Sequence, residues 1–298
     1  MANKLKRSFF SLLFLLLLIY SCSNSANRDK QEYKRIISLS PHITEIIYAL
    51  GQQDRLTGVT DFCTYPPQAQ EKEKVGGLLN PNLEKMYALG ADLFIGTPAS
   101  RELALKMQNS NRKFVFLANE RLQDLYASID SLGSLLECKE AADRLNNGLK
   151  DSLRMYAQPV EKKGKRPPRA LLVIGRDAGS TRNIMAAGPQ TFISEIWKIS
   201  GGSNAFNDLP ASYAQVNREA LLERQPDLII EFKFKQTWNA EKNRRNISEW
   251  RTLQNIQAAE SGNIFVITGD YSLIPGPRLY LLAKDFRRIL DGYSMMKK

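Results

Sequence analysis

One pattern of spaced residues occurs twice in this chain. NLEKMYALGADLFIG begins at Asn82 and NREALLERQPDLIIE begins at Asn217. In each, a glutamate (Glu84, Glu219) follows the asparagine by two places, an aspartate (Asp92, Asp227) follows it by ten, and an apolar strand comes next. Asparagine is a favoured helix N-cap and glutamate a favoured first-turn residue, so each copy reads as a helix feeding a strand. Agreement over a whole helix–strand unit, in matching places of two halves, predicts two lobes of like construction related by pseudo-symmetry. A fainter echo sets Pro41, Thr44, Glu45 and Ile46 against Pro189, Thr191, Glu195 and Ile196.

The surrounding pattern agrees. Arg35–Ser40 reads as a short buried strand, and Thr44–Leu50 has helical spacing stopped by Gly51. Leu56–Thr60, Asp92–Gly96 and Lys113–Leu117 read as further strands. Between Arg121 and Tyr156 leucines recur at helical intervals, as one long amphipathic helix or two abutting ones, with a break signalled near Gly133 and Cys138. A Lys/Gly/Pro-rich surface loop follows, Pro159–Pro168, and Arg169–Gly175 restarts the alternation of strand and helix. The expected fold is α/β: two Rossmann-like lobes, each with a central mostly parallel sheet, joined by a long rigid helix. The expected divisions are a leader at 1–21, a tether at 22–34, lobes at 35–118 and 168–298, and a helix and loop between them at 119–167.

The N-terminus stands apart from this fold. Lys4, Lys6 and Arg7 precede an apolar run from Phe9 to Tyr20, the length of a signal-peptide core. Ile19-Tyr20-Ser21-Cys22 resembles a bacterial lipobox, which makes Cys22 the lipidated residue and predicts an exported, membrane-anchored lipoprotein. The polar stretch that follows reads as a flexible tether. The chain carries 42 Lys and Arg against 31 Asp and Glu, a formal charge of +11. These charges are scattered and no recognition motif accompanies them, so nucleic acid is excluded as a partner and a solvated surface facing an anionic membrane or ligand is expected. Beyond Cys22, Cys63 and Cys138 remain; an oxidising compartment permits a disulfide between them and leaves the pairing open.

The motifs, taken in order, resemble a known family. Ser40-Pro41-His42-Ile43-Thr44-Glu45, then Gly58–Ala69 with its YPPQA stretch, the two Asn/Glu units, and Asp270 followed by Pro275-Gly276-Pro277-Arg278 are similar to the cobalamin/ferric-siderophore class of periplasmic binding proteins of ABC importers, and nearest to its cobalamin-binding members. The resemblance runs from about Arg35 to Leu290. It implies the class III periplasmic-binding fold, a ligand held between the lobes with little hinge closure, and delivery to an ABC importer's permease dimer by a monomer. In the cobalamin-binding members a surface glutamate on each lobe docks against permease arginines; these positions fall on Glu84 and Glu219.

The same resemblance places cleft-wall positions on Phe62, Leu78, Thr97, Tyr213 and Asp270, with Tyr65 and Tyr271 as neighbouring candidates. Leu78 and Thr97 stand where the family's best-known members carry tryptophan, and Ile274 where they carry arginine, which leaves room for another corrinoid, a haem or a siderophore. Asp270 can accept hydrogen bonds from ligand amides. His42, the one histidine, can reach a bound metal centre, although helping to cap its helix is the plainer role. Arg278 is expected to pair with local backbone or a carboxylate rather than with ligand. No protein-held metal and no cofactor beyond the captured metal chelate are expected. Catalytic residues are not expected either: no G-x-S-x-G elbow, P-loop or G-x-G-x-x-G follows a strand, which argues against an α/β enzyme. A surface scaffold would leave the paired Asn/Glu units without a purpose.

Overall fold

The computed structural model describes residues 32–110, 112–157, 166–234 and 238–296. The leader, Cys22 and residues 22–31 of the tether lie outside these, as do residues 158–165 of the Lys/Pro-rich loop. Residues 1–33 cluster as one unit and residues 34–298 as a second. No helix among the described residues is long and apolar enough to cross a membrane.

The first half of the larger unit builds β1 (Ile36–Ser38), α1 (Pro41–Ala49), β2 (Leu56–Val59), β3 (Glu73–Lys74), α2 (Leu83–Ala88), β4 (Leu93–Gly96), α3 (Arg101–Lys106) and β5 (Lys113–Phe116). Its strands lie in the order β3-β2-β1-β4-β5, every neighbouring pair parallel. Both β1 and β4 are buried along their whole length, as strands covered on two faces must be, and this explains their unbroken apolar runs. Pro41 opens α1, where its missing N–H costs nothing, and Gly51 (φ 71) ends the turn after it.

Of the two forms expected between Arg121 and Tyr156, one long helix or two abutting ones, the connection takes the second. It is a helical pair, α4 (Leu122–Leu135) and α5 (Lys139–Tyr156). Glu137 adopts a left-handed backbone (φ 58), and the Cys138 N–H bonds back to the Gly133 carbonyl at 2.8 Å, a helix ending of the kind glycine usually provides. The two helices then pack so closely that a Cβ on Gly133 would stand 2.4 Å from the Ala142 Cβ. Asn146 Nδ2 fastens them, donating to the Tyr126 carbonyl (3.2 Å) and Asp130 Oδ1 (2.7 Å).

The second half builds β6 (Arg169–Gly175), β7 (Ile184–Ala187), α6 (Phe192–Ile199), β8 (Ser203–Asn204), β9 (Tyr213–Val216), α7 (Arg218–Arg224), β10 (Leu228–Phe232), α8 (Ala240–Trp250), α9 (Gln257–Glu260), β11 (Ile264–Ile267) and α10 (Leu279–Met296). The sheet order is β11-β10-β6-β7-β9, with β8 also on β6. Here β7 runs antiparallel to both neighbours, while the β6–β10, β10–β11 and β6–β8 pairs are parallel. A polar turn reverses the chain after β6: the Asp177 N–H meets the Arg182 carbonyl (3.1 Å), and Asn183 Nδ2 meets Asp177 Oδ2 (2.9 Å).

The repeated residues do the same work in both halves. Asn82 and Asn217 each accept a hydrogen bond at 2.9 Å from the backbone N–H three residues on, capping α2 and α7. Asp92 accepts from the Lys34 and Arg35 N–H groups (3.0 and 3.2 Å) and returns its own N–H to the Arg35 carbonyl (2.9 Å). Asp227 repeats this on Arg169, with 2.8 Å both ways, and adds a two-pronged bond to Arg166 at 2.6 and 2.9 Å. Each aspartate thus pins the start of its half's leading strand to the strand beside it.

Candidate ligand cleft

The predicted wall residues cluster at strand ends. Phe62 lies in the turn after β2 and Thr97 directly after β4, while Asp270 and Tyr271 form a short 3₁₀ turn after β11. Ligands of open α/β sheets gather at such carboxyl ends. Phe62 is 57% exposed, Tyr65 43% and Leu78 39%, large apolar surfaces of the sort that mark interaction sites. Leu79 is 78% exposed beside Leu78; one leucine among loop residues carries no periodic signal in the sequence. Tyr213 opens β9 and is partly buried; burial and the nearby Glu120 push its phenol up to about 12, so it stays a neutral hydrogen-bonding group.

Part of the set is brought together across the two halves. Arg278, directly before α10, donates from Nε to Glu45 Oε2 (2.9 Å) and from Nη2 to Glu45 Oε1 (2.5 Å) on α1. Its guanidinium stacks over the Tyr65 ring at 3.7 Å and stands 6.0 Å from the Tyr271 ring. Both partners are withdrawn from water, with side-chain exposures of 3% for Glu45 and 16% for Arg278. Burial pushes the Glu45 carboxyl above its usual value, the Arg278 bonds pull it back, and the charge of Asp270 pushes it up again. Asp270 is therefore near this pair, and its Oδ1 is buried without a hydrogen-bond partner. The expectation that Arg278 meets a carboxylate holds; the partner is not local but 233 residues away in sequence.

His42 lies one turn before Glu45 on α1 and is 2% exposed. Its Nδ1 is 2.8 Å from the Ser40 hydroxyl, and its Nε2 has no partner. Burial alone lowers its pKa to about 4, so the ring is neutral at ordinary pH. Ser40 makes no side-chain cap bond to α1, and the imidazole is tied to this N-cap hydroxyl instead. Cys63 is a free buried thiol between the Thr44 and Thr60 hydroxyls (3.1 and 3.2 Å), and Cys138 is also free. Among the described residues no cluster of three or more His, Cys, Asp or Glu could hold a metal ion.

No hydrogen bond or ring contact joins the side chains of Phe62, Leu78, Thr97 or Tyr213 to the Arg278 group among the described residues. A cavity of about 430 Å³ lies on the far side of the 3₁₀ turn, along β11 and α10, and shares only Tyr271 with the predicted wall. Its lining comes wholly from the second half, and within it the Tyr271 hydroxyl donates to Asp285 Oδ2 (2.5 Å). Glu84 and Glu219 occupy the same place on α2 and α7, exposed, with no hydrogen bond or ion pair to any described residue.

The profile of the periplasmic binding protein family matches residues 36–271. A vitamin B12-binding protein of Vibrio cholerae is 30% identical over 253 residues, spanning 82% of this chain and 84% of its own. A Bacillus subtilis ABC transporter substrate-binding lipoprotein, YvrC, is 29% identical over 70% of this chain and 67% of its own. Among solved structures, the periplasmic vitamin B12-binding protein BtuF of Vibrio cholerae superposes with a TM-score of 0.69 at 28% identity, covering 88% of this chain and 98% of that one.

Proposed function

This chain belongs to the periplasmic binding protein family, a binding protein rather than an enzyme, and from that premise we propose that it captures a corrinoid between its two sheets and delivers it to an ABC importer. The observation that carries the delivery is the bare pair of carboxylates. In both repeats the asparagine and the aspartate are consumed by the fold, while Glu84 and Glu219 are left exposed and unpartnered at equivalent positions. Two separated charges of one sign set orientation on a two-fold permease surface bearing the opposite sign. First-turn placement alone gives each glutamate about 0.3–1 kcal/mol of helix stabilisation, the role that both would keep without a permease.

For the ligand, relatives at about 30% identity named for vitamin B12 support a corrinoid. Phe62, Tyr65 and Tyr213 supply apolar ring faces, and Leu78 and Thr97 add uncharged wall; Asp270, whose buried Oδ1 has no partner, is the unmet acceptor of the set. Cys22 is the proposed lipid anchor, supported by its lipobox and by the lipoprotein relative, and it holds the chain at a membrane, on the periplasmic side or at the cell surface. The test is uptake of labelled cyanocobalamin by proteoliposomes containing the cognate importer. The wild-type chain supports uptake; the Glu84→Arg/Glu219→Arg chain still takes up corrinoid in solution but reduces transport to background. Undiminished transport by the double reversal contradicts the docking role.

A further inference from the structure

The Glu45–Arg278 pair has a consequence for which ligands the cleft accepts. Arg278 is a cation that ties the second half to α1 of the first through Glu45, and its contacts withhold it from a ligand. Two of its nitrogens are taken by the Glu45 carboxylate. One face is covered by Tyr65, which is itself 43% exposed. Asp270 brings a second carboxylate to the same place, and the neutral His42 ring brings no positive charge. One carboxylate is bonded to the guanidinium and the charge of a second, Asp270, is felt at Glu45, an arrangement that repels a third carboxylate; Asp270 Oδ1, buried without a partner, is an unmet acceptor. Gly276 holds the approach close: a Cβ there would stand 2.8 Å from Glu45 Oε2.

We infer that Glu45 sets the charge selectivity of this cleft, by holding Arg278 so that amide-bearing chelates are accepted and carboxylate-bearing ones of the same shape are rejected. Glu45 is a positioning residue: it acts through Arg278. Specificity of this kind comes from the group that opposes the wrong ligand as much as from contacts to the right one. A ligand carboxylate near the seam would have to break a desolvated, two-pronged ion pair to find a cation, and meets Asp270 if it does not. Removing the Glu45 charge while keeping its shape frees a half-buried guanidinium, which then seeks an anion.

This inference rests on the corrinoid reading, and one experiment separates the two. The full chain in detergent is titrated with a pair of ligands on one ring: cobyrinic acid, whose side chains are carboxylates, and its amidated counterpart cobinamide. Wild type prefers the amide form by at least about 100-fold, and Glu45→Gln reduces that ratio by about tenfold, the scale on which one desolvated charge contact changes affinity. Glu45→Gln/Arg278→Gln returns the ratio towards its wild-type value, which a general loosening of the fold would not do. An unchanged ratio in Glu45→Gln, or the same reduced ratio in the double variant, overturns the inference. Should Glu45→Gln show no cooperative melt, the wild-type titration decides: equal affinity for the two ligands overturns it. Wild type that binds neither ligand overturns the corrinoid reading itself, and this inference with it.

Discussion

His42 makes the acid stability of this protein a single-residue experiment. It is the chain's one histidine, 2% exposed, with a pKa lowered from 6.5 to about 4 by burial. A base whose pKa is depressed by folding takes up its proton more readily in the unfolded chain. The stability it contributes is therefore complete above about pH 6.5 and is lost as pH falls from there towards 4. At about 1.4 kcal/mol per pK unit, the loss attributable to His42 is roughly 2 kcal/mol at pH 5 and approaches roughly 3 kcal/mol below pH 4. Glu45, whose carboxyl is raised, works in the opposite direction as pH falls, so the measurement must be a difference. His42→Asn keeps a partner for the Ser40 hydroxyl near the position of Nδ1 and removes the titration. Urea unfolding at pH 7.5, 6.5, 5.5 and 5 should show wild type losing about 2 kcal/mol relative to His42→Asn across this range. Parallel curves for the two proteins would refute the claim that the imidazole is held buried and neutral.

The paired aspartates should differ in cost. Asp227→Ala strands Arg166 and the Arg169 N–H around a side chain 2% exposed and should destabilise by about 3 kcal/mol, whereas Asp92→Ala, at a more open site, should cost about 1–2 kcal/mol by chemical denaturation. Gly133→Ala should destabilise by about 1–3 kcal/mol despite alanine's better helix propensity, because its methyl has no room against Ala142; a neutral or stabilising result would mean that α4 and α5 separate easily. Phe62→Ala and Tyr213→Ala should each weaken corrinoid binding by about tenfold, the loss of one stacked ring face, measured by absorbance titration.

Much of the frame was legible because local chemistry and fold agree. The Asn and Asp of each repeat were readable as cap and strand start, and β6 lies where its apolar run predicted, at Arg169–Gly175. What stayed hidden was set by contacts distant in sequence or by backbone states without a residue signature. A break near Gly133 and Cys138 was signalled, but the residue that makes the turn, Glu137, is left-handed without being glycine, so its exact place was not. The antiparallel β7 depends on a turn stapled by Asp177 and Asn183, and its four residues are too short to show a period. In the cleft, Glu45 was visible as one carboxylate inside the apolar run of α1, but its partner lies 233 residues away. The Arg176 ion pairs with Glu231 and Glu249, packed against Trp250, were not legible for the same reason: their members come from β6's end, β10 and α8.

The central claim is that the two halves enclose a corrinoid, and calorimetry on the full chain tests it most directly. Titration with cyanocobalamin and cobinamide, set against haem and a ferric siderophore, should give one corrinoid bound per chain with neither of the others competing for it. Saturable binding of haem or the siderophore with no heat from either corrinoid would contradict the account of the ligand while leaving the family and fold in place.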